Sequence, residues 1–116
     1  FVSFGHLEER EPRVAAAIRL MEARIDSPIT IAAIAKNLKI SARRLETLFS
    51  AQLGLSPAAY FNRLRLKSAE RLLKDTNLSV QEIGLRTGFS STSSFSRSFK
   101  RFSGWSPITF RYSMVV

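Results

Sequence analysis

The 116-residue sequence contains no cysteine. Disulfide bridges, thiolate zinc sites and a cysteine nucleophile are therefore excluded, and the composition suits a reducing compartment. Histidine is nearly absent: His6 is the one copy, in an irregular N-terminal stretch with no second His or Cys to complete a metal site. Metals and cofactors are not expected. No apolar run approaches the roughly 20 residues of a membrane span, and no signal-peptide pattern opens the chain, so no membrane partner is expected either. Acidic residues are scarce, 9 against 18 lysines and arginines. Also missing are a nucleophile paired with a base and a glycine-rich phosphate loop, which leaves a catalytic reading little to stand on. Strand-like alternation bounded by hairpin signals occurs nowhere, and an all-α fold is expected.

What is present is positive charge, unevenly placed. The formal net charge is +9 and the pI is about 11.1. Residues 1–40 carry six basic and five acidic side chains, residues 41–78 seven and three, and residues 79–116 five and one. Eight of the nine excess charges therefore lie beyond residue 40. Such a balance points to a polyanion as partner, against the plainer reading of a solubilising surface. The apolar content, 45%, is enough for the core of one ordinary domain. The first residue is Phe1 rather than methionine, so the chain reads as a piece of a longer polypeptide. Residues 1–11, "FVSFGHLEERE", read as a leader or severed interdomain linker, and residues 12–116 as the folded domain.

From Pro12, apolar Val14, Ala17, Ile18, Met21 and Ile25 recur at three- and four-residue steps, the mark of an amphipathic helix that the "DSP" breaker ends. Thr30 can cap a short helix carrying Ile31, Ile34, Ala35 and Leu38. Ser41 can cap another, with Leu45, Leu48, Phe49 and Leu53 on one side and Gly54 at its end. Ser56-Pro57 pairs an N-cap with proline at the first helical position, and opens a long helix over about residues 57–75. Then the pattern repeats. Ser79-x-x-Glu82 is a capping box, in which each side chain can satisfy the other's free backbone N–H. Ile31, Ile34, Ala35 and Ile40 correspond to Val80, Ile83, Gly84 and Phe89 at an offset of 49. Leu45, Phe49, Gly54, Ser56, Pro57 and Tyr60 correspond to Phe95, Phe99, Gly104, Ser106, Pro107 and Phe110 at an offset of 50, so the second copy has one extra residue in its turn.

A short helix, a turn with a small residue and a capped second helix make the helix-turn-helix plan, whose second helix presents a polar face to the DNA major groove. Two copies, about residues 30–54 and 79–104, are joined by the linker helix. The stretch "GFSSTSSFSRSFKRFSGWSP" fits that plan although its serines suggest a solvated linker. On a helix from about Thr92 to Phe102, Phe95, Phe99 and Phe102 share one face as core, while the serines, Thr92 and Arg97 lie on the others. Short hydroxyl side chains let the helix approach the groove closely. Gly54 and Gly104 fit helix C-caps, and Trp105 is expected to cover the core beside Pro107.

"SVQEIGLRTGFSSTSSFSRSFKRFSGWSPITFR", residues 79–111, resembles the signature of the AraC/XylS transcription regulators, and "TIAAIAKNLKISARRLETLFSAQLGLSPAAYFNRLRL" is similar to that family's upstream half. Thr87 stands where the family often has cysteine, and Trp105 where it has a smaller apolar residue. The resemblance implies an all-α domain of about seven helices with two helix-turn-helix units. It implies a cytoplasmic protein that binds specific double-stranded DNA without catalysis, and engages RNA polymerase when intact. The remainder would be an N-terminal effector or dimerisation domain, and "RLMEARIDSPITIAAIAKNL" is similar to members whose N-terminal domain is amidotransferase-like. Carried over position by position, the base-reading residues are Arg43, Glu46 and Thr47 on the first recognition helix, and Thr92, Ser93, Ser96 and Arg97 on the second. The residues themselves add Arg44, as near that helix's N-terminus as Arg43. Arginine can fork onto guanine, and Glu46 can accept from cytosine or orient an arginine. Ser41, Ser91, Lys100 and Arg101 are candidate phosphate contacts, while Arg63, Arg65 and Lys67 on the linker helix suit a solvated or intramolecular role. The competing reading is a nonspecific nucleic-acid-binding or protein-interaction module on the same helices.

Overall fold

The computed structural model describes residues 11–113; most of the expected leader, His6 included, lies outside the described residues. Among those described, seven helices and no strand are found. They are α1 (Pro12–Ala23), α2 (Ile31–Asn37), α3 (Ala42–Leu53), α4 (Pro57–Asp75), α5 (Val80–Arg86), α6 (Thr92–Ser103) and α7 (Pro107–Ser113). Their starts follow from hydroxyl caps. The side-chain oxygens of Thr30, Ser41, Ser56, Ser79 and Ser91 accept from the backbone N–H of Ala33, Arg44, Ala59, Glu82 and Ser94 at 3.0 to 3.1 Å. The expected capping box on α5 closes on one side only. Ser79 accepts from Glu82, but the Glu82 carboxylate turns along the helix to Arg86, 3.6 Å away. Glu11, placed with the leader by the sequence, instead caps α1, its carboxylate accepting from the Arg13 backbone at 3.3 Å and from Arg13 Nε at 2.9 Å. α1 also stops earlier than its apolar period suggests. Arg24 N–H bonds to Met21 O, and Ile25 falls beyond the helix, partly exposed.

Both helix-turn-helix turns are built alike. After α2, Ile40 N–H reaches Ala35 O and Lys39 N–H reaches Lys36 O; after α5, Phe89 N–H reaches Gly84 O and Gly88 N–H reaches Leu85 O. This paired pattern is the Schellman motif, which requires a left-handed residue just past the helix. Gly88 fills that place with φ 87, as the plan expects, but in the first copy the residue is Lys39, with φ 61.

Two compact units divide the chain, with the boundary inside α4. The first takes in α1, α2, α3 and α4 as far as Asn62. α1 packs on α2 and α3, and α2 on α3. Its buried side chains include Val14, Ile18 and Met21 from α1, Ile34 from α2, Leu45 and Phe49 from α3, and Phe61 from α4. Burying each contributes about 1.5–3 kcal/mol.

The second unit takes in Ile25–Ser27, α4 from Arg63, and α5 to α7. Leu66, Ala69 and Leu73 of α4, Ile83 of α5 and the phenylalanine rings form its core. Phe95 lies 5.3 Å from Phe89 and 5.8 Å from Phe99, and Phe99 lies 5.2 Å from Phe110, all between ring centroids. Tilted and edge-on pairs of this kind add about 0.5–1.5 kcal/mol beyond burial. α5 and α6 approach closely at Gly84, where a Cβ would sit 3.2 Å from Phe95 Cβ. Thr87 is fully buried, and its hydroxyl donates to Ile83 O at 2.7 Å, so the side chain standing in for the family's cysteine is satisfied within the helix. Trp105 does not cover the core: the residue is 52% exposed, directly after the left-handed Gly104, and Ser103 holds its backbone through both its N–H and C=O.

Candidate nucleic-acid interface

α3 and α6 each bury one face and expose the other. On α3, Leu45, Leu48 and Phe49 face inward, while Arg43, Thr47 and Ser50, spaced by four and three residues, form a solvent-facing stripe. Arg44 and Glu46 flank it on either side, both exposed. On α6, Phe95 and Phe99 are inward, and Ser93, Arg97 and Lys100 form the stripe at the same spacing. Thr92 and Arg101 are exposed beside it, and Ser96 is partly covered. At the repeat offset of 50, Arg43 corresponds to Ser93, Thr47 to Arg97 and Ser50 to Lys100. The candidates thus fall into two groups, one on each unit, with the strong cation at the start of the α3 stripe and in the middle of the α6 stripe.

The hydrogen bonds refine these roles. Ser41 and Ser91 use their oxygens as caps, which leaves each hydroxyl proton to donate outward. Thr47 is spent differently: its hydroxyl donates to Arg43 O at 3.1 Å, so toward a base edge it offers acceptor capacity and a methyl group. Ion pairs among the described residues include Arg13–Glu11 and Arg86–Glu82. Arg43, Arg44, Arg97, Lys100 and Arg101 are in neither, so Glu46 holds no arginine by an ion pair and five exposed cations face solvent unneutralised.

On α4, Arg63 and Lys67 are exposed, but Arg65 is turned inward. Its Nη1 donates to Gly88 O at 3.3 Å, its guanidinium carbon lies 5.0 Å from the Phe89 ring centroid, and burial pushes its pKa down. In the sequence these three side chains look alike, and Ser50 carries no local mark of a role. The repeat held the signal for Ser50, which occupies the position of Lys100.

A helix-turn-helix domain family matches residues 34–113. The transcriptional regulator ArgR of Pseudomonas aeruginosa is 39% identical over 103 residues, 89% of this chain and 31% of that protein. The chain thus spans about a third of the length of the curated relatives it matches. A transcriptional regulator with an AraC-type DNA-binding domain from Chromobacterium violaceum superposes with a TM-score of 0.85 at 38% identity, over 90% of this chain and 93% of that one. The DNA-binding domain of AdpA, solved with a target DNA, gives a TM-score of 0.82 at 25% identity, over 87% of this chain and 91% of that one. The chain belongs to the AraC/XylS family of helix-turn-helix transcription regulators. It is a sequence-specific DNA-binding domain, in a family of regulators rather than enzymes.

Proposed function

We propose that the chain reads two successive major-groove segments of duplex DNA, one with the exposed stripe of α3 and the other with that of α6. The observation that carries this reading is the repeated stripe, Arg43/Thr47/Ser50 and Ser93/Arg97/Lys100, polar and exposed on helices whose other face is buried. Arg43 and Arg97 are the main base readers, forking onto guanine, with Arg44, Glu46, Thr47, Thr92, Ser93 and Ser96 in supporting base contacts. Ser41, Ser91, Lys100 and Arg101 hold phosphates, beside the backbone N–H groups that open α3 and α6. The intact protein is a cytoplasmic regulator that adds an N-terminal effector or dimerisation domain and engages RNA polymerase.

Selection from a random duplex library, followed by footprinting of the winner, tests the reading. Two protected elements about 10 bp apart on one DNA face are expected. Binding that random DNA competes away equally well would instead favour the nonspecific module.

A further inference from the structure

α6 can read sequence only if its placement is fixed, and the turn that delivers it is short. That turn runs from Thr87 to Ser91 and includes a left-handed glycine, Gly88. Caps and backbone bonds define its local shape, and the buried Thr87 and Phe89 seat it on the core. Arg65 adds the polar tie to α4. From α4 it donates to the Gly88 carbonyl at 3.3 Å and lies 5.0 Å from the centre of the Phe89 ring. Phe89 in turn packs on Phe95, one turn into α6.

We propose that Arg65 is a positioning residue for DNA reading by α6, pinning the α5–α6 turn to α4 through Gly88 and Phe89. Arginine suits the task where lysine does not. Its planar guanidinium can lie against an aromatic ring while a fixed N–H meets a carbonyl, whereas an ammonium is a compact, strongly hydrated point charge. Its orientation argues against a phosphate contact, since Arg63 and Lys67 on the same helix remain exposed while Arg65 turns to the protein. The inference rests on the reading that α6 contacts bases.

The test uses the full 116-residue chain, its selected duplex and every single-base-pair variant of that duplex. Wild type and Arg97→Ala first locate the element read by α6. If Arg97→Ala leaves discrimination unchanged at every position, the reading of α6 itself fails, whatever Arg65 does. With that element located, Arg65→Lys is expected to weaken cognate binding roughly tenfold, the order of one charge-assisted hydrogen bond. It should flatten discrimination at the α6 element alone and leave the salt slope unchanged. Phe89→Leu, which keeps an apolar side chain but removes the ring, should share that effect, and the double variant should lose less than the sum of the two. Wild-type behaviour of Arg65→Lys would overturn the proposal. So would equal weakening on all duplexes, loss of discrimination at both elements, or full additivity with Phe89→Leu.

Discussion

Lys39 and Gly88 occupy equivalent places 49 residues apart, both left-handed, yet only one is glycine. For a residue with a Cβ that conformation costs about 1–2 kcal/mol, while glycine in the unfolded chain gives back about 0.4–1 kcal/mol as lost entropy. Lys39→Gly should therefore stabilise the protein by up to about 1 kcal/mol, and Gly88→Ala, in which the same two terms change sign, should destabilise it by a similar amount. Urea midpoints at constant m measure both; equal signs would show that the turn relaxes around its occupant. The proposed base readers are also tested residue by residue. Arg43→Ala should cost about 1–3 kcal/mol on the selected site and relax one or two base pairs, and Arg97→Ala should do the same at the other element. Ser93→Ala should cost less, because one hydroxyl discriminates poorly. Affinities across the base-pair variants check all three. Greater loss of specificity from Ser93→Ala would move the explanation from side-chain reach to DNA shape or bridging water.

At the scale of elements, the end of α4 depends on α7. Arg111 donates through Nε to Leu73 O at 3.1 Å and through Nη2 to Thr76 O at 3.2 Å, meeting carbonyls that the helix leaves without partners at its C-terminus. Arg111→Ala should cost about 1–2 kcal/mol and speed amide exchange in the last turn of α4, whereas Arg111→Lys should recover part of the loss by its charge alone. An unchanged melting temperature in the alanine variant would show that water replaces the guanidinium. This contact also marks the limit of what the sequence makes legible. Helix starts at Thr30, Ser41, Ser56, Ser79 and Ser91 are readable because a cap and the N–H it meets lie three residues apart, and the two copies confirm each other. The inward faces of α3 and α6 follow from periodicity for the same reason. Arg65 and Arg111 are different: their partners lie 23 and 35 to 38 residues away, and nothing local separates Arg65 from Arg63. Trp105 fails in the opposite sense, since size and apolarity suggest burial while it stands exposed directly after the left-handed Gly104.

For the whole molecule, charge sets the terms of binding. A net charge of +9, with Arg43, Arg44, Arg97, Lys100 and Arg101 outside the ion pairs of the described residues, will draw any duplex toward the protein before sequence is read. Affinity should then fall steeply with salt, with a log–log slope of about −0.9 for each phosphate neutralised. Lys100→Ala and Arg101→Ala should each weaken all duplexes alike and flatten that slope by roughly one unit. Titrations of cognate and random duplex over a range of salt concentrations measure slope and preference together. Lys100 is the sharper case, because it lies on the α6 stripe with Ser93 and Arg97, whereas Arg101 lies to one side. Seven residues along the helix place it about 10 Å beyond Ser93, at 1.5 Å per residue. A helix entering the groove by its N-terminus would bring that position to the DNA backbone. If Lys100→Ala changes which base is preferred while Arg101→Ala does not, α6 lies along the groove over most of its length, and Lys100 belongs with Arg97 among the base readers.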